Sequence, residues 1–143
     1  MQTHVTPEIL IKTTDFHLAN SQGAGAVNGS ALDMKGAANL RVVLLLGATG
    51  GGITASAALQ HSDDNSTFVA ALDDAGNAIT VSKAASAAAS RHMLRVRGSR
   101  LKRYVRLAVT TAGGAVIVAA VGETWGLKDT AYADGNAAYG SLV

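Results

Sequence analysis

Apolar residues in this chain fall into short alternating runs or compact blocks of strand length, parted by turns rich in Gly, Asn and Asp. Residues 8–13 form the first run, introduced by Pro7, whose missing N–H suits a strand start or a sheet edge. Residues 40–46, with β-branched Val42 and Val43, have the pattern of a buried strand. Residues 53–60 follow across the glycine turn GATGGGI at 47–53, and residues 67–72 follow the SDDNS turn at 62–66. Residues 78–82 come after DDAGN at 73–77, a hairpin signal of the Asp/Gly type. In 93–97, Met93, Arg95 and Arg97 lie on one face and Leu94 and Val96 on the other. In 101–110, Val105, Leu107 and Val109 face one way and Tyr104, Arg106 and Ala108 the other, and 115–121 is the last strong run. Seven or eight strands and at most one short helix predict an all-β protein, an antiparallel sandwich or barrel.

Three segments stand outside this pattern. Residues 84–90 have helical composition but are too few for more than one or two turns. Residues 15–39 are small, polar and Gly-rich, and read as a long loop or arm that is functional or lies against a neighbour. Residues 123–143 carry Trp125, Tyr132 and Tyr139 without periodicity, and aromatics so placed need a surface to dock on. The domain organisation expected is a sandwich at 1–122, with the loop or arm at 15–39, and a C-terminal extended arm at 123–143.

Composition changes the picture in one respect. Leu, Ile, Val and Phe number 34 of the 143 residues, enough for a folded chain, but 28 further apolar residues are Ala and 16 residues are Gly. A buried Ala contributes roughly 0.8 kcal/mol where a buried Leu or Val contributes about 1.5–3. The core is therefore expected to be thin, and with no Cys neither a disulfide nor a thiolate metal site can support it. Assembly with other subunits is the remaining source of stability, and the segments at 15–39 and 123–143 are expected to be ordered only by partners. The start, MQTHVTPEIL, shows neither a basic cluster nor an apolar run, so no secretory leader is expected. The uncharged stretches at 42–59 and 107–122 have glycines at their centres and read as pairs of short elements around a turn, not as membrane spans.

The net charge of +2 conceals a polarised chain. Residues 75–122 contain Lys83, Arg91, Arg95, Arg97, Arg100, Lys102, Arg103 and Arg106 and no acid, while the rest holds 4 basic and 10 acidic residues. Such a split fits a polyanion or a complementary protein face. As a nucleic-acid surface, Arg95, Arg97, Arg103 and Arg106 would meet phosphates and Tyr104 would stack on a base, but single-strand binders use several stacking platforms and only one aromatic is interleaved here. The same residues serve equally as a face for an acidic protein partner or as a solvated strand.

Other chemistry finds no support. GATGGGI lacks the seventh-place glycine of a dinucleotide turn, where Ile53 stands, and lacks the Gly-Lys of a Walker loop; it reads as a glycine hairpin turn. His4, His17, His61 and His92 are not spaced as metal ligands, and Asp63, Asp64, Asp73 and Asp74 lack calcium-loop alternation, reading instead as Asx turns. No Gly-x-Ser-x-Gly occurs, so no enzyme and no cofactor are expected.

Two segments carry a resemblance. LQHSDDNSTF at 59–68, followed by KRYVRLAVT at 102–110, resembles small β-sandwich structural proteins of tailed bacteriophages, above all capsid decoration or cement proteins of jelly-roll type, over residues 39–121. The resemblance implies a virion protein without catalysis, on the capsid exterior, that binds the major capsid protein at junctions between shell subunits. On that reading the protein self-associates as a homodimer, or alternatively a trimer. Trp125, Tyr132 and Tyr139 are the candidate anchors, and Arg95, Arg97, Arg103, Tyr104 and Arg106 orient the subunit on an acidic shell surface. The alternatives are a single-stranded nucleic-acid-binding barrel and a tail or baseplate subunit; no membrane partner is expected.

Overall fold

The computed structural model describes residues 10–127. Ten strands alternate with turns: β1 (Leu10–Gln22), β2 (Gly25–Asn28), β3 (Leu32–Asp33), β4 (Ala37–Leu46), β5 (Thr54–Ser62), β6 (Val69–Ala70), β7 (Thr80–Lys83), β8 (Ser90–Arg97), β9 (Tyr104–Ala112) and β10 (Val116–Leu127). A single 3-10 turn, Gly98–Arg100, interrupts them. One sheet has the order β1-β10-β4-β8, and the other is built on β2-β9-β5-β6, with β3 on β9 and β7 on β5. Every pairing is antiparallel.

The six strands of the second sheet occupy four positions. β2 pairs with Ala108 to Thr111 of β9 and β3 with Tyr104 and Val105, so together they form one broken edge strand. β6 and β7 divide the opposite edge along β5 in the same way. The chain thus passes between two four-position sheets in the order of a jelly roll. The all-β antiparallel sandwich read from the strand pattern is the fold of this chain.

Alternation places the core. Leu40, Val42, Leu44 and Leu46 of β4 and Val116, Val118 and Ala120 of β10 face Ala57 and Leu59 of β5 and Val105, Leu107 and Val109 of β9, all buried. The alternation expected at 93–97 and 104–109 holds residue by residue, with Leu94 and Val96 half-buried against the core and Met93, Arg95 and Arg97 exposed. The DDAGN turn closes as an Asx turn: Asp73 Oδ1 accepts the Ala75 and Asn77 amides at 2.9 Å, and Gly76 takes a φ of +85°.

Four expectations are corrected. Residues 15–39 are not an arm. They contain most of β1, then β2, β3 and the start of β4, and they bury Phe16, Leu32, Met34 and Ala37. Their order comes from backbone ladders to β10 and β9 within the chain, and irregularities between Asp15, His17 and Asn20 erase the period-two signal. Residues 84–90 form no helix. The Thr49 hydroxyl donates to the Ala84 carbonyl at 2.7 Å and accepts the Ala87 amide at 2.9 Å, and the Lys83 ammonium donates to the Ala88 carbonyl, so local groups compete with any helical turn. The glycine turn after β4 is no hairpin, because β4 and β5 lie in different sheets; it is the crossover between them, with Gly52 at a φ of +74°. Finally, β10 runs on to Leu127, so Trp125 is a strand residue paired with Asn39 and Leu10. The remainder of the expected C-terminal arm, including Tyr132 and Tyr139, lies outside the described residues.

Candidate functional site

The outward positions of the β1-β10-β4-β8 sheet line up in cross-strand rows. Trp125, Asn39 and Arg97 form one; Glu123, Arg41 and Arg95 the next; then Val121, Val43 and Met93; then Ala119, Leu45 and Arg91. Ile117 closes the series opposite Ser21 of β1. Ile117 is 61% exposed, Met93 53% and Leu45 47%, and Leu18, in the irregular stretch of β1 between His17 and Asn20, is 70% exposed. A block that reads as buried on both faces, 40–46, is therefore covered on one face only. Contiguous exposed apolar residues rimmed by charge mark interaction surfaces.

The second sheet presents a different outer face. Its outward β5-β9 rows carry Ser56 with Thr110, Ala58 with Ala108, Gln60 with Arg106 and Ser62 with Tyr104, and its exposed large apolar residues, Val27 and Val69, stand on the edge strands β2 and β6. Exposed large apolar residues on the central strands of an outer face, Leu45 of β4 and Ile117 of β10, thus belong to the β1-β10-β4-β8 sheet.

The basic run divides between these faces, and ion pairing decides which charges remain available. Arg103 reaches both carboxylate oxygens of Asp33 through Nε and Nη2, at 3.1 and 3.0 Å, a bidentate pair that holds its guanidinium firmly charged. Lys102 pairs with Asp63 at 2.7 Å, and Arg100 pairs with Asp74. Arg106 donates to Gln60 at 2.8 Å and stacks over the Phe68 ring at 4.0 Å from its centroid. Lys83 is buried against Ser90. Each of these five cations is thus satisfied within the chain. The side chains of Arg91, Arg95 and Arg97, all on β8, have no hydrogen-bond or ion-pair partner among the described residues.

The residues singled out from the sequence are therefore not one surface. Arg95 and Arg97 lie on the β1-β10-β4-β8 sheet, whereas Arg103, Tyr104 and Arg106 lie at or on β9 in the opposite sheet. Tyr104 has Arg103 over its ring at 5.0 Å from the centroid, and no second aromatic is interleaved along β9. Trp125 joins Arg97 through the Asn39 row. Sequence reasoning missed Leu18, Leu45, Arg91, Met93 and Ile117. The signal was present in 42–46 and 115–121, which are apolar at both parities although a sandwich strand has only one core side.

Among the described residues, no cluster of three or more His, Asp or Glu could hold a metal ion. No helix there is long and apolar enough to cross a membrane.

No protein-family model matches the chain, and no curated protein matches its sequence. Solved structures do match in fold. The SPBc2 prophage-derived protein YomS superposes with a TM-score of 0.53 at 14% identity, over 87% of this chain and 99% of that one. Infectious bursal disease virus, Gx strain, matches with a TM-score of 0.52 at 11% identity over 84% of this chain, and the Gt strain with 0.50 at 12% over 82%. This chain spans about a third of the viral chains, 32% and 33%. At these identities the likeness is one of fold alone, an antiparallel β-sandwich.

Proposed function

We propose that this chain is a structural virion protein of a bacteriophage, a capsid decoration or cement protein that binds the outside of an icosahedral shell and stabilises contacts between major capsid subunits. The observation that carries the reading is the outer face of the β1-β10-β4-β8 sheet, where Leu45, Met93 and Ile117 are exposed beside Arg91, Arg95 and Arg97, whose side chains have no partner among the described residues. A face of that kind suits a permanent protein neighbour. Its apolar centre supplies affinity, and the Arg rim sets orientation on an acidic surface. The fold likeness to a prophage-derived protein and to a virus supports the virion setting.

The role is one of binding, without catalysis or cofactor. The protein acts as an oligomer, a homodimer or else a trimer, on the capsid exterior. Trp125, at the polar end of the same face, serves as an anchor, and Tyr132 and Tyr139 extend the contact. The nucleic-acid alternative loses its main device, because Tyr104 and Arg106 are on the opposite sheet from Arg95 and Arg97. Co-purification with intact virions tests the reading. The protein is expected at a fixed ratio to the shell protein, and its absence from purified particles would overturn the proposal.

A further inference from the structure

We infer that the open edge of β8 is a receptor for an extended segment of a partner protein, which adds to the sheet as a strand alternating acidic and apolar residues. β8 ends the β1-β10-β4-β8 sheet, and its eight residues pair with β4 in unbroken register from Ser90 to Arg97. Among the described residues, no backbone group of β8 bonds to anything but β4. In an antiparallel ladder alternate residues direct their N–H and C=O away from the neighbour, so this edge, unbroken by a bulge, offers a row of groups that can template another strand.

The two faces of the edge specify what pairs with it. On the outer face stand Arg91, Met93, Arg95 and Arg97, and the three arginines have no acid among the described residues to neutralise them. On the inner face Leu94 and Val96 are only half-buried against the core. A strand placed alongside brings every second side chain over the arginines and the others over Leu94 and Val96. The matching sequence is acidic on one parity and apolar on the other.

Pairing of β8 with a second β8 is disfavoured, since antiparallel self-pairing brings arginine against arginine.

This inference deepens the docking role proposed above and rests on it for the origin of the segment. The test uses the full chain and a capped strand-length peptide alternating Glu and Val, with an alternating Lys and Val peptide and oligothymidylate as comparisons. Binding of the Glu peptide alone, together with slowed amide exchange along 90–97, is the expected result. Arg95→Glu with Arg97→Glu is expected to weaken it by about tenfold or more and to take up the Lys peptide instead. Should that variant fold poorly, Arg95→Gln with Arg97→Gln is expected to lose Glu-peptide binding without gaining the Lys peptide. Failure to bind the Glu peptide, binding without slowed exchange on β8, or preference for the oligonucleotide would each overturn the inference. Shell binding is measured separately: if it is absent while the peptide still binds, only the cement reading fails, and if it persists while the peptide does not bind, only this one fails.

Discussion

Arg41 on β4 holds Glu123 on β10 through Nε and Nη2, at 2.7 and 2.5 Å from the same carboxylate oxygen. The pair closes one cross-strand row, and it leaves Arg95, the other neighbour of Arg41, without a counter-ion among the described residues. Glu123→Gln should therefore bring two guanidinium groups side by side with nothing between them. Both partners of the pair are partly shielded from water, so the loss is expected at about 1–2 kcal/mol in urea unfolding. Arg95→Gln in the Glu123→Gln background should recover part of it.

Leu44 and Leu45 are adjacent in sequence and opposite in duty. Leu44 is fully buried, and Leu44→Ala should cost about 2–5 kcal/mol by loss of contacts and the cavity left behind. Leu45→Ser, on the outer face, should stay within about 0.5 kcal/mol of the wild type. Equal losses for the two would mean that the outer face is covered within the chain itself.

Gly122 tests the part of the fold hidden from sequence reading. A Cβ at 122 would lie 2.5 Å from the Phe16 ring, which is itself buried. Gly122→Ala should displace that ring and destabilise by about 1–3 kcal/mol. A neutral Gly122→Ala would mean that β1 does not lie on β10 as described.

That contact also shows what the sequence could and could not reveal. Strands with clean alternation, such as 104–109, were legible together with the face each side chain takes, because burial alone sets their pattern. Phe16 was not, since its neighbours Asp15, His17 and Asn20 fall across register shifts, and β2 is exposed along its whole length. Backbone ladders hold such strands, and ladders leave little trace in composition. The site was half legible for a similar reason. A charge run shows in the sequence, but which charges are spent on internal partners depends on where Asp33, Asp63 and Asp74 fold to, and that is tertiary information.

The acidic turn at 62–67 predicts a pH behaviour. The Thr67 amide, the Ser62 hydroxyl and the Ser66 amide all donate to Asp64, and together they hold its carboxyl down to about 2. A carboxyl lowered in the folded state contributes stability that is full above its unfolded value, about 3.9, and is lost as pH falls through about 2. Direct titration by NMR should place the Asp64 midpoint near the lower figure, and Asp64→Asn should abolish that step. A midpoint near the ordinary carboxylate value would contradict the turn geometry.

Whether the outer face of the β1-β10-β4-β8 sheet holds the shell is decided by one binding measurement. Purified protein is sedimented with phage shells stripped of it, comparing the wild type with Leu45→Asp combined with Ile117→Asp, two exposed positions whose change should leave the fold intact. The wild type is predicted to saturate at a fixed ratio to the shell protein and the variant to remain in the supernatant. A folded variant that sediments as the wild type does would mean that this face does not bind the shell.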